Sequence, residues 1–379
     1  MTAPLHLSSI THRHPGAEQP TLADVTLEVQ DGEMIAVLGP SGSGKTTLLR
    51  AAAGLEPLES GDVLLDGCSV LDVPPERRDL TMMFQKPHLF PHLNVLDNVG
   101  FADRLRGRSR SESRATAQRY LDLVRLGDLG RRWPRQLSGG QEQRVALARA
   151  LAASRRVMLL DEPFSALDTS LRTSMHQLLA EVRAALDPTI VIVTHDLDEA
   201  GLAERVAVLV AGRIEQFDTI QGLYTAPKTL AVARLVGGFN ELAGTVESGA
   251  HNSCLGTFAL PGAVDVEGAA ILLVRKERLG LVDAAATSIL TGRVVEVRQS
   301  GPHQDVVVEL DRATAARRGR LEVEVRLGTS LRPGDRTGVL LPGTDELWAV
   351  RDHGVDYSPR SPDAIAVSAP SDSTAGGRG

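Results

Sequence analysis

Residues 5–67 alternate apolar and polar positions, with turn dipeptides at Asp31-Gly32 and Asp66-Gly67. That pattern predicts β-structure joined by tight turns. Within it, Met34–Leu38 is apolar at every position and runs straight into Gly39-Pro40-Ser41-Gly42-Ser43-Gly44-Lys45-Thr46, after which a helix is expected to about Ala53. Three more apolar runs follow at Leu80–Phe84, Val157–Leu160 and Ile190–Val193. Strands apolar on both faces and separated by helical segments predict a parallel sheet covered on both sides.

Between Asn94 and Ala153 the chain turns helical and rich in arginine, with Arg104, Arg106, Arg108, Arg110 and Arg114 close together. A solvated helical surface accounts for such a run better than a nucleic-acid patch. Ser138 stands where an N-cap belongs, ahead of the apolar helical face Val145, Leu147, Ala148 and Leu151. Arg205–Phe217 reads as a hairpin turning at Ala211-Gly212, and Leu223–Val236 as helix interrupted near Pro227. From about Glu241 short β-rich runs take over (271–274, 292–297, 305–310 and 321–327), predicting a small barrel-like β domain. After about His353 the composition is Ser, Pro, Ala and Gly, which predicts a disordered tail over 354–379.

Length and charge narrow the classes. A chain of 379 residues, 42% hydrophobic, has material for two or three domains. A net charge of −7 argues against nucleic acid as the main partner. The β-rich part alone, 241–350, carries 15 acidic against 12 basic residues, with Phe258 and Trp348 its only aromatics, so it lacks the basic face and stacking platform of a nucleic-acid barrel. Cys68 and Cys254 have no Cys-x-x-Cys spacing and imply neither a disulfide framework nor a zinc knuckle. No apolar run approaches the roughly 20 residues needed to cross a bilayer, and no signal peptide is read at the start. The expectation is a cytoplasmic protein whose link to a membrane runs through a partner.

The chemistry lies in the order of a few motifs. Gly39–Thr46 fits G-x-x-x-x-G-K-[ST] between a predicted strand and a predicted helix, the context a phosphate loop requires. Its backbone N–H groups and the positive end of the helix face phosphate, Lys45 adds a point charge, and the Thr46 hydroxyl suits Mg²⁺. Asp161, at the end of a buried strand, is placed to hold Mg²⁺, and Glu162 beside it to orient and deprotonate an attacking water. Pro87-His88 to Pro91-His92 offers an i, i+4 histidine pair, but Pro91 breaks any helix that would align it, so the segment reads as loop.

With Leu137-Ser138-Gly139-Gly140-Gln141 lying between phosphate loop and acid pair, the set resembles the ATP-binding subunit of an ABC transporter, over about Leu5 to Val350. The resemblance implies an α/β phosphate-loop cassette over 1–236 with a helical subdomain at about 94–153, then a small all-β, OB-like regulatory domain over 241–350. It implies ATP and Mg²⁺ as cofactors, with Gly39–Thr46 and Thr47 around the phosphates. Ser138, Gly139, Gly140 and Gln141 would face the γ-phosphate of ATP held by a second copy, and Asp168, in Ser165-Ala166-Leu167-Asp168, would sit in the loop that crosses the dimer. Gln85 would sense Mg²⁺ and water while touching the membrane partner, and His195 would reach the γ-phosphate. The implied partners are integral membrane permease subunits and, indirectly, an extracytoplasmic solute-binding protein; the implied place is the cytoplasmic face of the cell membrane.

Some positions depart from the family's pattern. His14 stands where an aromatic residue usually stacks on adenine, and an imidazole stacks less extensively. Glu142 follows the pentapeptide in place of a basic or polar residue. Val274-Arg275-Lys276-Glu277 echoes the Arg-Pro-Glu run of importer regulatory domains, with Lys276 replacing proline. Residues 235–240, Leu-Val-Gly-Gly-Phe-Asn, lack the Ser-Pro-x-Met-Asn run of sugar importers, which tilts the solute to ferric iron, a polyamine or another small ion. The other class in view, a soluble ABC ATPase acting on ribosomes or DNA, commonly carries tandem cassettes or a long coiled-coil insertion, and this chain has neither.

Overall fold

The fold is that of a computed structural model, which describes residues 4–352 apart from 166, 254, 263, 285–289 and 312–318. Cys254, Ala166 and the expected tail lie outside the described residues. β1 (Leu5–His12) and β2 (Leu22–Val29) form an antiparallel pair, and β3 (Met34–Leu38) leads into α1 (Lys45–Ala52). β4 (Ser60–Leu65) and β5 (Cys68–Ser69) make a hairpin around Asp66-Gly67 and complete a sheet ordered β2-β1-β4-β5.

The second sheet holds β3 with β6 (Leu80–Met83), β7 (Val157–Asp161), β8 (Thr189–Thr194), β9 (Arg205–Val210) and β10 (Arg213–Asp218), in the order β10-β9-β3-β8-β7-β6. All its neighbours are parallel except the antiparallel edge strand β10. Pattern reading found four of these strands; the hairpin at 205–218 adds a fifth parallel strand, β9, beside β3. Side chains alternate between two cores. Ile35, Val37, Leu159, Val191 and Val193 pack with α1 and the antiparallel sheet, while Met34, Ala36, Leu38, Leu160 and Ile192 pack under helices. Both faces are covered, which is why these strands are apolar throughout.

The helical subdomain contains α2 (Val95–Val99), α3 (Phe101–Leu105), α4 (Arg110–Leu123) and α5 (Gly139–Ala152). Its arginines are partly occupied within the subdomain: Arg110 and Arg114 pair with buried Asp97, and Arg106 and Arg108 with buried Asp103. The hydrogen bond from Arg114 leads in holding the Asp97 carboxyl below the usual carboxylate range, against the opposing effect of burial. α6 (Thr169–Leu186), α7 (Leu197–Ala200), α8 (Ile220–Thr225) and α9 (Leu230–Val236) complete the first part of the chain. Among the described residues no helix is long and apolar enough to cross a membrane.

The remaining strands are β11 (Phe239–Glu247), β12 (Ala250–Ser253), β13 (Gly256–Ala259), β14 (Gly268–Arg275), β15 (Gly280–Val282), β16 (Leu290–Ser300), β17 (His303–Leu310), β18 (Arg320–Arg326), β19 (Arg336–Leu340) and β20 (Trp348–Arg351). They form two five-stranded antiparallel sheets, β13-β12-β11-β14-β20 and β15-β19-β16-β17-β18, around one core that includes Leu272, Val274, Val306, Val308 and Val323. Asn240 ties the sheets together: its Nδ2 donates to the Glu322 carbonyl at 2.9 Å and its Oδ1 accepts from the Glu322 N–H at 2.7 Å. Arg275 joins this part to the first. It donates to the carbonyls of Tyr224 and Gly237, both at 2.8 Å, and lies over the rings of Tyr224 and Phe239 at 4.2 and 3.9 Å.

Candidate nucleotide site

β3 is an inner strand of the parallel sheet, and the loop that follows it is anchored by β3 at one end and α1 at the other. Gly44 caps α1 at φ 104°, a conformation that a residue with a Cβ rarely adopts. Lys45 is buried and folds back, its Nζ donating to the carbonyls of Gly39 at 2.8 Å and Pro40 at 2.9 Å. Burial pushes the Lys45 ammonium below its ordinary range, while the charges of Glu162 and Asp161 act the other way. Ser43 Oγ is buried with no hydrogen-bond partner among the described residues, an unmet polar atom inside the loop that suits an anionic ligand. Ser41, Gly42 and Thr46 are exposed at the loop's open side, with Pro40 and Thr47 half-buried.

The Thr46 hydroxyl donates to Asp161 Oδ1 at 2.8 Å. This hydroxyl and carboxylate, from residues far apart in sequence, form an all-oxygen donor pair of the kind Mg²⁺ takes. Burial pushes the Asp161 carboxyl up, the Glu162 charge adds to the effect, and the Thr46 hydrogen bond and Lys45 charge oppose it.

Glu162 leaves β7 at φ 43°, a left-handed turn that brings its side chain between two others. Gln85 Nε2 donates to Glu162 Oε2 at 3.2 Å, and His195 Nδ1 lies 3.4 Å from Glu162 Oε1. Glu162 is thus largely enclosed, its side chain 20% exposed against 55% for His195. Gln85 Nε2 also reaches Ser165 Oγ at 3.4 Å. The three side chains singled out from sequence for the chemistry therefore meet around one carboxylate.

Ser138 caps α5 as predicted. The Gln141 N–H donates to Ser138 Oγ at 3.4 Å and the Ser138 N–H to Gln141 Oε1 at 3.1 Å, a reciprocal capping box. Asp168 caps α6, accepting from the Leu171 N–H at 2.9 Å. His14 follows β1, its Nδ1 3.2 Å from Nε2 of His12. The His88–His92 segment is loop, as Pro91 predicted.

Two residues that the sequence reading did not single out connect these parts. Gln143 is buried and donates to the Pro163 carbonyl, next to Glu162. Arg149 donates to the carbonyls of Pro87 at 2.8 Å and His88 at 2.9 Å and lies 5.4 Å over the Phe90 ring, holding the loop that follows Gln85. One helix therefore starts at Ser138 and braces the loops of both Glu162 and Gln85. The residue types along α5 gave no signal of this, because both contacts end on backbone carbonyls remote in sequence.

A phosphate loop ahead of a buried, two-sided parallel sheet, with an acid pair at the end of β7, defines a nucleoside triphosphatase of the phosphate-loop class. The family profile for the ABC transporter matches residues 22–165. The chain is 44% identical over 300 residues to the spermidine/putrescine import ATP-binding protein PotA of Methylococcus capsulatus, covering 76% of this chain and 78% of that protein. It is 42% identical over 342 residues to the Fe(3+) ions import ATP-binding protein FbpC of Streptomyces avermitilis, covering 90% and 96%. It is 44% identical over 279 residues to the sulfate/thiosulfate import ATP-binding protein CysA of Caulobacter vibrioides, covering 72% and 81%. Among solved structures, the dimeric post-hydrolysis state of the ATP-binding cassette MJ0796 bound to ADP and Pi aligns with a TM-score of 0.53 and 32% identity, over 57% of this chain and 98% of that one. The chain belongs to the family of ATP-binding subunits of ABC importers, and its reaction class is ATP hydrolysis.

Proposed function

We propose that this chain powers uptake of a small solute, pairing with a second copy of itself across two ATP molecules at the cytoplasmic face of the membrane and driving separate permease subunits. Gln85, Glu162 and His195 meeting at one carboxylate carry the reading. Glu162 takes the proton of the attacking water, His195 and Gln85 hold that water and the carboxylate in register, and Lys45 with the loop amides takes up phosphate charge. Thr46, Asp161 and Gln85 would hold Mg²⁺, which when bound would supply charge neutralisation on the phosphate oxygens. The Ser138–Gln141 end of α5 is assigned to the nucleotide of the second copy, which the dimeric form of the MJ0796 structure supports. His14 is assigned to adenine. The solute is read as ferric iron, a polyamine or another small ion, supported by the names of the relatives and by the absent sugar-importer run. A solute-binding protein is the indirect partner.

Glu162→Gln should bind ATP, hydrolyse it at least about a hundredfold more slowly, and shift from monomer to dimer on ATP addition by sedimentation. Adding Ser138→Arg, which leaves the phosphate loop intact, should keep ATP binding and abolish that dimer. Wild-type turnover by Glu162→Gln, or a dimer that survives Ser138→Arg, would overturn the reading.

A further inference from the structure

A cluster of ligating side chains lies at the end of β1, beyond the groups that handle phosphate. Among the described residues, His12, His14 and Glu56 are the one group of three His, Cys, Asp or Glu residues whose ligand atoms converge, all within 4.8 Å of one another. His12 is buried, and its Nδ1 lies 2.7 Å from the Pro57 carbonyl. A carbonyl oxygen only accepts, so that nitrogen carries the proton and the lone pair sits on Nε2. This arrangement, one ring nitrogen donating to a backbone carbonyl while the other is free to ligate, is how metal-binding histidines are oriented.

His12 Nε2 and His14 Nδ1 are 3.2 Å apart. With both nitrogens at about 2.05 Å from one ion, that separation corresponds to an angle of about 100° between them, close to tetrahedral. Glu56 brings a carboxylate from the loop that follows α1. Its Oε1 also faces Arg50 Nε at 3.3 Å, a positive charge that weakens the site without filling it.

We propose that His12, His14 and Glu56 form a site for a borderline divalent cation of the Zn²⁺ type, distinct from the cation site at Thr46 and Asp161, with its remaining position left to solvent. Two imidazoles and one carboxylate suit such an ion better than Mg²⁺, which favours oxygen donors. An occupied site holds the His14 ring at the end of β1 and away from a nucleotide base. That consequence rests on the adenine assignment; the site rests on the three side chains alone.

The test titrates Zn²⁺ into the full-length, chelator-stripped, nucleotide-free protein by calorimetry, alongside His14→Ala and Glu56→Gln. Neither substitution empties a core position, and matching melting curves in chelator confirm that both variants fold. The wild type should bind an ion that both variants lose or hold at least about tenfold more weakly, the scale of losing even an outer-shell partner. Equal stoichiometry and affinity in all three proteins, or no Zn²⁺ bound by the wild type, would overturn the proposal. ATP affinity of His14→Ala in chelator reads the adenine assignment separately.

Discussion

Gly140 packs so closely on Leu171 that a Cβ added to it would lie 2.0 Å from Leu171 Cδ2. The neighbouring Gly139 meets nothing within 4 Å at the same position. The two glycines of the pentapeptide thus answer to different demands: Gly140 leaves room for the Leu171 side chain of α6, and Gly139 presents bare backbone at the surface. Gly140→Ala should lower stability by about 1–3 kcal/mol through overpacking, measured by denaturant unfolding. Gly139→Ala should stay within about 0.5 kcal/mol of wild type. Its ATPase activity should nonetheless fall at least about tenfold, or 1.4 kcal/mol of transition-state stabilisation. Equal loss of stability in both variants would erase the distinction.

Asp161 carries a cost in the nucleotide-free state. Burial is the main cause that raises its carboxyl above the ordinary range, so the folded chain holds this proton more tightly than the unfolded chain does. Its contribution to stability is therefore fully present below the ordinary aspartate pKa and is lost as pH rises through the elevated value. At neutral pH the buried charge is a burden. Asp161→Asn keeps an acceptor for Thr46 and removes the charge, so the nucleotide-free variant should melt higher than wild type at pH 7, by roughly 0.5–2 kcal/mol. The advantage should shrink in mildly acidic buffer, and Mg²⁺-ATP should no longer stabilise the variant as it does the wild type. Melting curves across pH, with and without Mg²⁺-ATP, check both the sign and the trade.

Arg149 spans two carbonyls that a shorter or single-headed donor cannot reach together. Arg149→Ala should cost about 1.5–3 kcal/mol, as hydrogen bonds from a charged group are lost, and should expose 86–93 to limited proteolysis. Arg149→Lys should recover only part of the protection. A digestion pattern unchanged in Arg149→Ala would mean that α5 does not hold this loop.

What the sequence made legible follows from how each part is encoded. The phosphate loop, the acid pair and the capping serine are local patterns, each set by residues a few positions apart, and all three were read in place. Gln85 and His195 needed the family resemblance, since a glutamine after a short strand and a lone histidine carry little by themselves. Their meeting at Glu162 is tertiary geometry. Gln143 and Arg149 were hidden because polar residues on a largely apolar helix look like its solvent side. Strand β9 was read as half of a hairpin because that pairing is local, whereas its parallel pairing with β3 joins segments widely separated in the chain. His12 escaped because Glu56 and the Pro57 carbonyl, which join it beside His14, come from the loop after α1.

His14→Tyr restores a larger ring at the position assigned to adenine. In chelator it should bind ATP more tightly than wild type by up to about tenfold, the range of aromatic stacking worth 0.5–1.5 kcal/mol, and His14→Ala should bind more weakly. A fluorescent ATP analogue reads both. Indifference of affinity to all three side chains would remove position 14 from the nucleotide site.

The Arg275 guanidinium, set between two rings and two carbonyls at the junction of α8, α9 and β14, is a rivet rather than a tether. Trp348, from the last described strand, adds a second fastening by donating to the Pro227 carbonyl at 2.9 Å. A β domain fixed at two points travels with the cassette that carries it.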